Sequence, residues 1–133
     1  MDPISDMLNR IKNAQAVGHE RVSVPFSKVK LQIAQLLNTA GFVGEVERRT
    51  RKTKKSEVEY LDVALKYIEG TEGAIAGLRI ISRPSRHIYI KASQIRPVRS
   101  GFGTAVVSTS KGIMTSQDAR KGGLGGEVMF EIW

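Results

Sequence analysis

Ile4, Met7, Leu8 and Ile11 recur at the spacing of one helical face, and Ala14 extends the stripe. Asp2 and Pro3 precede it as a cap and a first-turn proline, and Gly18 supplies a stop. Val22 and Val24 alternate with Arg21 and Ser23 before Pro25, the pattern of a short edge strand. Ser27 is placed to cap a second helix with Val29, Ile33, Leu36, Leu37 and Ala40 on its inner face. Gly41 can close that helix in a left-handed conformation. Strands are predicted from Phe42 to Glu47 and from Glu57 to Tyr67. In the second, Leu61, Val63, Leu65 and Tyr67 alternate with Asp62, Ala64 and Lys66, so one face should pack against helix. Between the two strands, Arg48, Arg49, Arg51, Lys52, Lys54 and Lys55 are interrupted only by threonines. That run is predicted to be a hairpin tip, mobile because its like charges repel.

Glu69, Gly70, Thr71, Glu72 and Gly73 punctuate the chain, and divide it into predicted domains at 1–69 and 74–133. Ile75, Leu78, Ile80 and Ile81 follow, with Gly77 arguing against a helix. Ser82, Arg83, Pro84, Ser85, Arg86 and His87 combine cations with a turn and feed a short strand, Ile88 to Ile90. One helical turn over Lys91 to Ile95 ends at Arg96, Pro97 and Arg99. Gly103 to Val107 reads as a buried strand that enters a polar loop of Ser108, Thr109, Ser110, Lys111 and Gly112. Thr115 and Asp118 have capping-box spacing for a short helix that Gly122 and Gly123 end. Val128, Phe130 and Ile132 alternate with Met129, Glu131 and Trp133 in a closing strand, with Trp133 at an edge or as a lid. The predicted class is α+β: an N-terminal α-β-α-β-β domain, then a β-rich C-terminal domain with short helices.

Charge sharpens this picture. The chain of 133 residues carries 21 Lys or Arg against 13 acids, a net charge of +8. Positions 71–133 hold nine of those cations against four acids, and positions 1–70 hold twelve against nine, so the excess leans C-terminal. Such a surface attracts polyanions. Cysteine is absent, which removes disulfides, thiolate metal sites and cysteine nucleophiles. Neither a membrane-spanning stretch nor a cleavable leader is apparent, so a soluble intracellular protein is expected.

The residues offer little to an enzyme. His19 and His87 are the only histidines and fall in different predicted domains, so neither a metal site nor a cofactor is expected. Glu57 and Glu59 share a strand face without a partner motif. Ser108 has only Lys111 as a nearby base, and the glycines from 122 to 126 lack the lysine and hydroxyl of a nucleotide cradle. A nucleic-acid binder fits better. From Arg79 to Lys121 nine basic residues face Asp118 alone, interleaved with Tyr89 and the hydroxyl loop. Structured RNA is favoured over DNA, because no long basic recognition helix is present and a broad minor groove suits small side chains. Two readings of the hydroxyl loop stay open: contacts to ribose and base edges, or an ordinary turn whose hydroxyls satisfy local backbone. Lys28 and Lys30, in the first turn of the second helix, suit either an external phosphate or solvent. The rival function is a basic protein–protein adaptor, or a general structured-RNA binder.

The run from Ala105 to Thr115, then Ala119 and Arg120, then Gly125, Gly126 and Glu127, resembles small-subunit ribosomal protein eight of the bacterial type. Asp2, Pro3, Ile4, Asp6, Met7, Leu8, Arg10 and Ile11 match that family's N-terminus. Ser27, Lys28 and Lys30, then Ser82, Arg83, Pro84, Arg86 and Tyr89, match in the expected order. The resemblance implies a cytoplasmic protein of the small subunit that binds the central domain of 16S ribosomal RNA and helps organise the platform, as a monomer within the ribosome. It implies neighbouring ribosomal proteins as partners, including the fifth and twelfth, and its own operon mRNA as a further target. Carried over by motif, Ser108, Thr109 and Ser110, with Lys111, enter the RNA minor groove, and Glu127 is the acidic partner there. Lys30, Arg83 and Arg86 act as backbone contacts, Tyr89 stacks or packs, and Arg10 adds an outlying contact; Lys54 is a further candidate from the charge of the basic tip, which is richer than the family pattern. Ser116 and Gln117 depart from the usual acidic–basic pair, and Ser85 stands where glycine is common.

Overall fold

Pro3 begins helix α1 (Pro3–Ala16), which ends as its spacing of apolar residues and Gly18 anticipated. Gly18 has φ 77°, and its N–H donates to Gln15 while that of His19 donates to Ala14. These two bonds satisfy carbonyls that the last turn leaves without helical partners. Strand β1 (Arg21–Pro25) leads to helix α2 (Lys28–Thr39). Ser27 caps α2 by accepting from Lys30 N at 3.1 Å, and Gly41, at φ 88°, closes it. Strands β2 (Val43–Lys52) and β3 (Glu57–Leu65) complete an antiparallel sheet in the order β1-β3-β2. A two-residue pair, β4 (Tyr67–Ile68) with β5 (Glu72–Gly73), follows. The structure, a computed structural model, describes residues 2–68, 72–98 and 103–133. The predicted punctuation at Glu69, Gly70 and Thr71, and the predicted terminator Arg99, lie outside the described residues.

The first sheet is two-faced. Val24, Leu61 and Val63 are buried on one face, together with Met7, Leu8 and Ile11 of α1 and Ile33, Ala34 and Leu37 of α2. The inner side of α2 differs from expectation: Val29 and Ala40 are exposed, while Lys30 and Ala34 are buried. The helix is rotated so that Ala34, small enough for close approach, faces inward.

The opposite sheet face is polar. Register places Asp62 beside Ser23 and Glu47, and its carboxylate receives Arg21 Nε at 2.9 Å and Arg49 Nε at 3.4 Å. Hydrogen bonding to Asp62 raises the Arg21 pKa further above its ordinary value, and bonding to Glu47 does the same for Arg49.

The basic run is not a loose tip. Arg48, Arg49, Arg51 and Lys52 continue β2, and the turn holds only residues 53–56. Arg48 forms a forked pair with Glu59 and lies 3.9 Å from the Phe26 ring centroid, and Arg51 lies 5.4 Å from that of Tyr60. Counter-charges and rings on the neighbouring chain offset the repulsion that sequence spacing alone suggested.

The contacts divide the chain into two compact units, with Pro3–Ala74 in the first and Ile75–Trp133 in the second. The second contains β6 (Leu78–Ile80), β7 (Tyr89–Ile90), β8 (Thr104–Thr109), β9 (Gly112–Thr115), helix α3 (Ser116–Lys121) and β10 (Gly126–Ile132). A single 3-10 turn spans Ala92–Gln94. Strand β10 is central: β8, then β9, lie to one side, and β6 and β7 pair along its other edge. Phe130 and Ile132 of β10 pack with Val106 and Val107 in the core. The class is α+β, with an α/β N-terminal part and a β-rich C-terminal part bearing short helices.

Candidate nucleic-acid interface

Strand β8 is buried from Thr104 to Val107 and becomes partly exposed at Ser108 and Thr109. Its apolar run is therefore an anchor whose polar end emerges at the edge of the core. The five-residue loop expected from sequence is tighter than that. Ser108 and Thr109 remain in the strand, Gly112 already belongs to β9, and the turn is Ser110–Lys111.

The hydroxyls divide their work. Thr109 Oγ1 donates to Gly112 O at 2.7 Å and accepts from Lys111 N at 3.1 Å, so it builds the turn. No described residue engages the Ser108 or Ser110 hydroxyl, and Ser110 and Lys111 are exposed. The reading of an ordinary turn thus holds for Thr109, while the Ser108 and Ser110 hydroxyls meet no described residue.

Glu127 of β10 lies directly across from Ser108 of β8 and from Tyr89 of β7. Direct partners in an antiparallel ladder project on the same face. Tyr89, Glu127 and Ser108 therefore form one row, from strands that are distant in sequence. Tyr89 is 71% exposed, which places its ring on the surface. Beside the row, a Cβ on Gly126 would meet Ser108 O at 2.2 Å, and one on Gly125 would meet Ile90 O at 2.5 Å. Only glycine lets the three strands close up here.

The cationic flank is equally built. Arg83 and Arg86 exchange backbone bonds of 2.9 and 3.0 Å around Pro84 and Ser85, forming a tight turn. Ser85 is tolerated in it. Buried Ser82 holds the turn to the sheet: its hydroxyl donates to Val128 O and accepts from Ile88 N at 3.0 Å. The turn ends at His87, whose Nδ1 meets Glu127 Oε2 at 2.5 Å. Across the core, α3 is capped by Thr115 as its spacing with Asp118 predicted. Ser116 accepts from Ala105 N, and Gln117 binds Thr104 Oγ1 and Gly103 O. The pair that departs from the resembled pattern thus fastens α3 to the start of β8.

Of the expected site residues, Ser108, Thr109, Ser110, Lys111, Glu127, Arg83, Arg86 and Tyr89 belong to the second unit. Arg10, Lys30 and Lys54 belong to the first. Arg10 pairs with Asp6 at 3.0 Å along α1. Lys54 is exposed in the β2–β3 turn. Lys30 is only 7% exposed, so most of its side chain is packing material and little of it can reach a ligand. The Ser82 hydrogen bonds and the pairing of His87 with Glu127 were not expected from the sequence. A serine before Arg-Pro carries no signal of its own, and the carboxylate that meets His87 lies 40 positions away.

Among the described residues no cluster of metal-binding side chains occurs, and no helix is long and apolar enough to cross a membrane. A family model described as "Ribosomal protein S8" matches residues 2–133. The chain belongs to the ribosomal protein S8 family.

Relatives carry the same likeness from end to end. The "Small ribosomal subunit protein uS8" of Bacillus cereus (strain B4264) is 46% identical over 132 residues, covering 99% of this chain and 97% of its own. That of Sorangium cellulosum (strain So ce56) is 41% identical over 132 residues, covering 99% and 98%. Membership in the S8 family makes this a ribosomal protein that binds ribosomal RNA alongside other ribosomal proteins, and not an enzyme.

Proposed function

We propose that this S8-family protein is a primary binder of the central domain of 16S ribosomal RNA, acting in the cytoplasm within the small subunit and helping to organise its platform. The observation that carries the reading is the row Tyr89–Glu127–Ser108, set beside close-approach glycines and continued by the Ser110–Lys111 turn. Small hydroxyls on a rigid hairpin can approach ribose and base edges of a broad minor groove, where longer side chains are too bulky. Glu127 offers a carboxylate acceptor to a base amine, an arrangement tolerable near phosphates only when the charge is hydrogen-bonded. Arg83, Arg86 and Lys111 contribute backbone attraction, and Tyr89 presents a ring for stacking. Arg10, Lys54 and the little of Lys30 that is exposed add contacts from the N-terminal domain. We place that domain at 1–69 and the RNA-binding domain at 74–133.

The protein enters the subunit as a monomer, with the fifth and twelfth small-subunit proteins among its neighbours, and its own operon mRNA as a mimic of the ribosomal site. The test is binding of the purified protein to an isolated central-domain hairpin and to a scrambled duplex across a salt series. A preference for the hairpin that survives raised salt is expected. Equal binding that vanishes with salt would leave only a basic surface and overturn the shaped site.

A further inference from the structure

We infer that His87 is a positioning residue that holds Glu127 and makes RNA attachment respond to pH. This rests on the placement of Glu127 in the RNA-binding row. The His87 Nδ1–Glu127 Oε2 contact joins the Arg83–Arg86 turn to β10 beside Ser108 and Tyr89. A carboxylate only accepts hydrogen bonds, so the contact places the proton on Nδ1. Nε2 is then the nitrogen that changes with pH: an acceptor on the neutral ring, a donor on the imidazolium. The His87 side chain is 53% exposed and that of Glu127 is 24% exposed, so the carboxylate is the more enclosed partner and the imidazole the one that meets solvent or ligand.

Two consequences follow for an RNA lying on this face. Protonated His87 offsets the Glu127 charge beside phosphates, and it presents a second N–H to a phosphate or ribose oxygen. The pair also ties up Oε2, which leaves Oε1 of Glu127 as the acceptor for a base amine. The other charged or titratable groups on the surrounding elements are Arg83 and Arg86 from the turn, Tyr89 from β7, Lys111 from the β8–β9 turn, Lys91 just beyond β7, and Glu131 further along β10 with Arg79 of β6 across from it. Among these groups His87 is the imidazole, the side-chain type suited to exchanging a proton between pH 5 and 8. His19 belongs to the other unit.

The experiment uses the full chain and a labelled central-domain hairpin, from pH 5.5 to 8 at constant ionic strength, with a scrambled duplex for comparison. Wild type is expected to bind the hairpin about two- to five-fold more tightly at the acid end, the scale of a solvent-exposed ion pair. H87Q should follow a flatter profile, and H87R, a fixed cation, should bind at pH 8 as wild type does at pH 5.5. Because the RNA itself titrates, the difference between wild type and H87Q is the quantity that counts. Imidazole nitrogen NMR of the free protein supplies a second readout: an Nδ1–H signature in wild type that E127A removes. Matching pH profiles for wild type and H87Q, with hairpin preference intact, would overturn the role of His87 alone. Absence of hairpin preference at every pH would overturn the RNA site and this role together.

Discussion

Ser110 and Thr109 are neighbours with the same functional group and opposite duties. Thr109 closes the turn through two hydrogen bonds, whereas no described residue engages the Ser110 hydroxyl. Ser110→Ala is therefore expected to weaken hairpin binding by about 1–3 kcal/mol with an unchanged melting temperature. Thr109→Val should instead lower stability by about 0.5–1.5 kcal/mol, the usual net worth of an intramolecular bond. Calorimetry with and without RNA separates the two, and equal effects on both quantities would erase the distinction. Gly126 is a third case, where what matters is the missing Cβ. With Ser108 O 2.2 Å from where that atom would stand, Gly126→Ala must push β10 from β8. A stability loss of roughly 1–3 kcal/mol is expected, with binding lost as the row opens. Unchanged chemical shifts in Ser108 and Glu127 would contradict it.

At the scale of elements, the β2–β3 ribbon shows how cations can be numerous without being free. Arg48 and Arg49 are engaged by Glu59, Glu47 and Asp62, which leaves Lys54 and Lys55 exposed in the turn. Lys54→Ala should weaken RNA binding similarly across sequences and reduce the slope of log affinity against log salt by about 1. A loss confined to one RNA sequence at high salt would mean a specific contact instead. Asp62 carries the structural side of the ribbon. It is buried to 8% exposure between two guanidinium groups, and charged hydrogen bonds of this kind contribute about 1.5–3 kcal/mol. Asp62→Ala should lower the unfolding free energy by about that amount in denaturant titration, without a change in RNA specificity.

For the whole molecule, the net charge of +8 supplies attraction, and in the proposed reading the sheet of the second unit supplies shape. These two contributions respond differently to salt: the first is released with counterions, while close contacts to a groove persist. The helices, their glycine stops, the caps at Ser27 and Thr115 and the apolar core of β8 were legible in the chain, because each depends on residues within a few positions of one another. The inner face of α2 was less so. A small alanine and a long lysine stem took the places expected for Val29 and Ala40, since the sheet beneath, not the periodicity, sets the helix rotation.

By itself the sequence determined the class of fold, the basic character, the identity of the residues at the β8 turn and, through motif likeness, the family. Tertiary structure alone decided which of those residues meet. Register across β7, β10 and β8 lines up Tyr89, Glu127 and Ser108, brings His87 to Glu127, and sets Asp62 between two arginines. Strand pairing is a long-range choice, made by burying one face of each strand, and a shift of one residue would turn every one of these side chains to the other side.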